Sequence, residues 1–187
     1  MRTDKKRVSA KDLALIALFV ALIAIGAYIT VPLPPVPFTL QSLFVLLAGL
    51  CLGGVKGGVC VLIYVFAGIL GLPVFAGGGG GFGYVLKPSF GFTIGFFFGA
   101  VLAGHIARKE RFSGYLRLTL AVALGTAAIY VFGIAYYLVL KAVYLGGEID
   151  LWQIFFSFWL IFIPTDILKA AIVVITAKKV FPLLHFS

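Results

Sequence analysis

The sequence predicts an all-α integral membrane fold with six transmembrane helices and both termini in the cytoplasm. Composition is the first observation. The 187 residues are 63% hydrophobic and 11% charged, with a mean hydropathy of +1.18, whereas a soluble domain carries about 25% charged residues. The second is a set of six apolar runs approaching the roughly 20 residues that cross a hydrocarbon core. These are Asp12 to Val31, Phe38 to Leu52, Val55 to Leu72, Ser89 to Ala107, Tyr115 to Val143 and Leu151 to Ala177, the second and third barely long enough. The third is charge placement. With a cytoplasmic N-terminus, twelve of the fifteen Lys and Arg fall inside, only Lys87 and Lys141 fall outside, and Lys169 lies within the sixth run. Every loop then obeys the positive-inside rule, which requires an even number of spans.

The breaks between runs carry their own chemistry. A basic segment, residues 1–11, precedes the first run. Because that run continues to Val31 and further spans follow, it reads as a retained helix rather than a cleaved signal. The stretch Pro32-Leu33-Pro34-Pro35-Val36-Pro37 cannot continue a helix and forms a stiff external loop. Gly53-Gly54 and Gly57-Gly58 mark a tight turn, residues 73–88 form a glycine-rich external loop, and Gly146-Gly147 ends the fifth run. The whole chain, 1–187, thus reads as one six-helix domain in the cell membrane. Its net charge of +9 does not point to nucleic acid, because the basic residues sit between apolar runs facing the lipid bilayer's surface. Cys51 and Cys60 flank a cytoplasmic turn without metal-ligand spacing and read as small packing residues.

Four features depart from plain membrane-helix composition. Pro164-Thr165-Asp166-Ile167-Leu168-Lys169 puts an acid and a base three residues apart on one helix face. Charges at membrane depth are costly and face a polar cavity or a partner. Either this pair lines a ligand cavity, with Pro164 opening further backbone groups to it, or it only fastens helices. The external connection Gly71 to Pro88 contains five consecutive glycines, Gly77 to Gly81, followed by Tyr84 and Lys87. It predicts a mobile segment whose backbone N–H groups, at Gly79, Gly80 and Gly81, approach a ligand; the alternative is a floppy link. Gln41 is one of two glutamines in a chain without asparagine. Just after Thr39, it either presents its amide at the cavity mouth or simply starts the second helix. Finally, Gly91, Gly95 and Gly99 form a small-residue stripe suited to internal helix packing, and Ala17 and Ala21 one suited equally to packing or to a partner.

Several chemistries are absent. The chain has no GxxxxGK[ST], HExxH or GxSxG string, and His105 and His185 have no catalytic company. Neither an enzyme nor a resident cofactor or metal is expected. A channel is disfavoured too, since one charged pair supplies no ring of repeated polar groups.

Four strings carry a resemblance to a known family: Val36-Pro37-Phe38-Thr39-Leu40-Gln41, Gly71-Leu72-Pro73-Val74-Phe75-Ala76-Gly77-Gly78, Lys87-Pro88-Ser89-Phe90-Gly91-Phe92, and Pro164 to Lys169. On these, from Ala14 to Lys179, the chain resembles the BioY proteins, biotin-specific S components of energy-coupling factor transporters. The resemblance implies the S-component fold, open to the outside when it captures biotin. It further implies a transmembrane coupling protein and two cytoplasmic ATPases as partners, docked through a step like Ala17-xxx-Ala21. For the ligand, it leads us to expect Asp166 to accept from the ureido N–H groups and Lys169 to donate to the ureido oxygen. Phe75 and Tyr84 would pack on the apolar portion, Thr39 and Gln41 would sit at the mouth, and Lys87 or the Gly79–Gly81 N–H groups would face the carboxylate. The reversed pose, with Lys169 on the carboxylate, stays open. So do an S component for another vitamin or small solute, and a structural membrane subunit.

Overall fold

The computed structural model describes residues 9–108, 114–146, 152, 156 and 162–185, the last five by backbone alone. Among the described residues the helices are α1 (Ala10–Tyr28), α2 (Gln41–Leu52), α3 (Gly54–Ile69), α4 (Phe90–Ala107), α5 (Gly114–Leu140) and α6 (Ile163–His185). A capping box starts α1: the Ser9 hydroxyl accepts from the Asp12 N–H (3.1 Å), and the Asp12 carboxylate accepts from the Ser9 N–H (3.4 Å). That cap lies in the polar lead-in, so the helix begins before the apolar run does.

The proline stretch is held as a hairpin rather than an open link. Thr30–Val31 (β1) and Phe38–Thr39 (β2) pair antiparallel, with Thr30 opposite Thr39 and Val31 opposite Phe38. Beyond α5, Lys141–Leu145 forms a wide turn closed by the Gly146 N–H on the Lys141 carbonyl (2.9 Å). The sixth predicted run differs most from expectation. Phe162 lies in a turn and α6 starts at Ile163, so Pro164 occupies a first turn, where its missing N–H has no intrahelical partner to lose. The expectation that Pro164 removes a helix hydrogen bond and so opens further backbone groups to the cavity is corrected accordingly. Most of the run before it, 153–155 and 157–161, lies outside the described residues.

Among the described residues three helical stretches, Ala10–Tyr28, Phe90–Ala107 and Gly114–Leu145, are long and apolar enough to cross a membrane, while α2 and α3 are apolar but shorter at 12 and 16 residues. The brevity of α2 follows from its position. Ten of its 12 residues are buried, and it packs against α1, α3, α4 and α6 as the central post of the bundle. Cys51 and Cys60 are free thiols within this core, as their small size suggests.

Close backbone approach is what lets these helices pack without a hydrophobic drive in lipid. A Cβ on Gly95 would stand 2.6 Å from the Ile129 carbonyl oxygen, and one on Gly99 would stand 2.9 Å from that of Gly125, so the α4 stripe is packed directly on α5. Gly49 and Gly104 do the same between α2 and α4, where a Cβ would meet the Ala100 and Gly49 carbonyl oxygens at 2.4 and 2.5 Å. The alanine stripe has the opposite fate: Ala17 and Ala21 are exposed on the outer face of α1.

At the end of the bundle carrying the α2–α3 turn, Lys56 pairs with Asp12 (2.5 Å) and the Arg108 guanidinium donates to the Leu52 carbonyl (2.8 Å) at the C-terminus of α2. The packing makes a paired prediction. Gly95→Ala overpacks the α4–α5 contact and should cost about 1–3 kcal/mol, read as a lowered Tm of the detergent-purified protein. Gly83→Ala, which meets nothing within 4 Å, should stay within about 0.5 kcal/mol of the parent.

Candidate functional site

A cavity opens at the end of the bundle where the two long connections lie, with ≈ 640 Å³ of empty space, mouth included. The hairpin supplies Val36 to Thr39, α2 supplies Gln41 and Ser42, and the glycine-rich connection supplies Ala76 and Tyr84. Ser89, Phe92, Thr93 and Phe96 come from the start of α4, Thr126, Ile129 and Tyr130 from α5, and Phe162, Asp166 and Lys169 from α6 and the turn before it. Aromatic and aliphatic side chains alternate with the hydroxyls of Ser89, Thr93 and Thr126 on the wall, and two stronger polar groups stand out.

The first is the charged pair. Lys169 lies about 9 Å along α6 from Ile163 at 1.5 Å per residue, and only 7% of it is exposed. Its ammonium donates to Asp166 Oδ1 (3.0 Å) and to Ser42 Oγ (3.1 Å), and stands 4.1 Å from the Phe38 ring centroid. Three donors thus meet a carboxylate, a hydroxyl and an aromatic face. Asp166 receives a second donor, the Tyr130 hydroxyl, on Oδ2 (2.5 Å). One hydrogen bond on each carboxylate oxygen leaves lone pairs on both for a guest. The pair is consequently neutral overall and anchored to α2, α5 and the hairpin, yet still able to accept two N–H groups from the cavity. Phe38 and Phe162, with centroids 6.0 Å apart, form the aromatic wall beside it.

The second is the Gln41 amide, 3% exposed at the foot of α2. Its carbonyl accepts from the Thr39 hydroxyl (3.2 Å), and its NH2 donates to the Tyr64 hydroxyl (2.5 Å). Thr39 Oγ1 also accepts from the Gln41 backbone N–H (3.4 Å), which explains why the helix begins there.

The glycine-rich connection makes regular turns and long-range hydrogen bonds. Short 3₁₀ turns at Ala76–Gly78 and Phe82–Leu86 fold it back on itself, and the Gly81 N–H donates to the Gly68 carbonyl at the end of α3 (2.7 Å). Three tyrosines from three helices hold its backbone: Tyr28 donates to the Pro73 carbonyl, Tyr64 to that of Val74 (3.0 Å) and Tyr136 to that of Val85. Gly81 has its N–H committed to Gly68, so it has no donor left for a ligand.

Of the residues singled out by sequence, Thr39, Gln41, Tyr84, Asp166 and Lys169 come together on the cavity wall, whereas Phe75, Lys87, Gly79, Gly80 and Gly81 are not among its lining residues. Phe75 is 1% exposed and forms a second layer, stacked on Tyr84 with centroids 4.5 Å apart. Lys87 is exposed, its ammonium 4.8 Å from the Tyr84 ring centroid. Gly79 lies against the Tyr84 ring, and Gly80 against the Leu72 carbonyl. Sequence reasoning missed Ser42 and Tyr130. A usable signal existed for Tyr130: it stands four residues from Thr126 on one face of the helix, and both line the cavity.

Comparison with known proteins identifies the family of the chain. The family model for the BioY family matches residues 1–186. The probable biotin transporter BioY of Lysinibacillus sphaericus is 37% identical over 176 residues, covering 94% of this chain and 89% of its own. The biotin transporter BioY of Rhizobium etli is 35% identical over 189 residues, covering 94% and 97%. Among solved structures, the S-component for biotin from an ECF-type ABC transporter superposes with a TM-score of 0.79 at 27% identity, covering 96% of this chain and 94% of that one. Its fold is the S-component fold seen here, and with this match, the three long apolar helices and relatives of the same length, the chain belongs to the BioY family of multi-pass membrane transport proteins.

Proposed function

We propose that this chain is the biotin-binding subunit of an energy-coupling importer, spanning the membrane six times with both termini cytoplasmic. The observation that carries the reading is the Asp166–Lys169 pair, held at 3.0 Å on the wall of a mainly apolar cavity in a chain whose relatives are named biotin transporters. Biotin's ureido ring offers two N–H donors and one carbonyl acceptor. The two carboxylate oxygens of Asp166 suit the donors, and Lys169 and the Gln41 amide suit the acceptor. Tyr84 and the phenylalanines of the wall take the thioether ring. The carboxylate end then points toward the connection that carries Gly79, Gly80 and Lys87 beside Tyr84. The reversed pose, with Lys169 on the biotin carboxylate, is the alternative reading of the same pair.

Release into the cell needs a partner that binds one conformation better than another, since the chain has no phosphate-binding loop of its own. The exposed Ala17 and Ala21 give a transmembrane coupling protein a shallow face for close docking, and two cytoplasmic ATPases would drive it.

Two measurements test this. A charge-assisted hydrogen bond contributes roughly 1.5–3 kcal/mol, so Asp166→Asn or Lys169→Ala should weaken biotin binding by about tenfold or more; unchanged affinity in both variants would remove the pair from the site. Replacing Ala17 and Ala21 together by Leu should abolish biotin uptake by cells carrying the whole importer while the purified subunit binds biotin as before. Unimpaired uptake would move the docking surface elsewhere.

A further inference from the structure

The geometry points to Tyr64, which does not line the cavity, as a positioning residue that fixes the orientation of the Gln41 amide toward the ligand. This deepens the biotin reading and rests on it for the identity of the ligand. Tyr64 lies on α3, is 1% exposed, and has its ring packed edge-on against Phe75 with centroids 5.5 Å apart. Its hydroxyl has one proton and touches two groups, the Val74 carbonyl at 3.0 Å and the Gln41 side-chain amide at 2.5 Å. A carbonyl can only accept, so the phenolic proton goes to Val74 and the phenolic oxygen must accept from Gln41.

That requirement chooses between the two faces of the amide. The NH2 must stand toward Tyr64, which turns the carbonyl oxygen toward the Thr39 hydroxyl, 3.2 Å away. Each end then keeps one bonding position for the cavity: the second N–H, and the second lone pair of the carbonyl. An amide free to flip would present donor and acceptor in either order. One locked at both ends presents a single order and is prepared for a guest carrying the complementary pair, as a cyclic urea does. Because Val74 belongs to the connection that also carries Tyr84, the same hydroxyl joins the amide to that part of the wall.

The chain permits an unusually direct test, because it has two glutamines, Gln41 and Gln153, and no asparagine. Side-chain amide signals of 15N-glutamine-labelled protein in detergent micelles therefore reduce to two NH2 pairs, and Gln41→Ala identifies one of them. The expected results are that Tyr64→Phe moves the Gln41 pair without biotin present, and that biotin shifts the same pair in the parent. A Gln41 pair indifferent to Tyr64→Phe would overturn the proposal whatever the ligand. Movement with Tyr64→Phe in a protein that binds no biotin would sink the ligand reading and leave the clasp standing.

A double-mutant cycle on biotin affinity supplies the second arm. One hydrogen bond corresponds to a loss of about three- to tenfold in the parent background. In the Gln41→Ala background, Tyr64→Phe should cost nothing further. Equal losses in both backgrounds would show that Tyr64 acts through general packing, and would overturn the proposal.

Discussion

The ion pair between Asp166 and Lys169 is the constraint around which the rest of the molecule is arranged. Two charges taken out of water cost several kcal/mol each, and their attraction offsets this only where further hydrogen bonds complete the set. Here the completion comes from three different parts of the chain: Tyr130 on α5, Ser42 on α2 and the Phe38 ring on the hairpin. Removing either charge would strand the other in an apolar bundle. Keeping both fixes the relative positions of α2, α5 and α6, and leaves a neutral site whose carboxylate still has capacity to accept. A pair that only fastened helices would have no need of an adjoining cavity.

The surrounding packing explains how so polar a group sits in so apolar a chain. Glycines on α2, α4 and α5 bring backbones into direct contact around the buried post of α2, and the cavity opens at one end of this close-packed bundle. There the two connections meet the helices, and tyrosine hydroxyls from α1, α3 and α5 hold the backbone of the glycine-rich one. The wall carrying Tyr84 is thus built by helices remote from it in sequence. Phe75 supports that wall from behind, where its ring fills the space a side chain at Gly68 would occupy.

Much of this was legible in the residues. Hydropathy marks the helices because the bilayer leaves a backbone few alternatives, and Asp166 and Lys169 stand out because charges are rare inside such runs. The glycine stripe of α4 was readable as packing for the same reason. What could not be read were the long-range partners. Nothing local to Pro73, Val74 or Val85 announces that a distant tyrosine will bind its carbonyl, so five glycines read as mobility. Phe75 and Tyr84 look equivalent in sequence, yet one lines the cavity and the other lies beneath it. Pro164 reads as an interior break until the turn at Phe162 shows that the helix starts beside it.

The central claim is that the neutralised pair exists to be met by a particular polar guest, and ligand-dependent stability of the detergent-purified protein tests it most directly. Free biotin at about 1,000 times its dissociation constant should add about 4 kcal/mol of apparent stability, seen as a clear rise in Tm, while riboflavin and thiamine leave the transition where it was. An unmoved transition with biotin, or an equal rise with either control vitamin, would contradict the account.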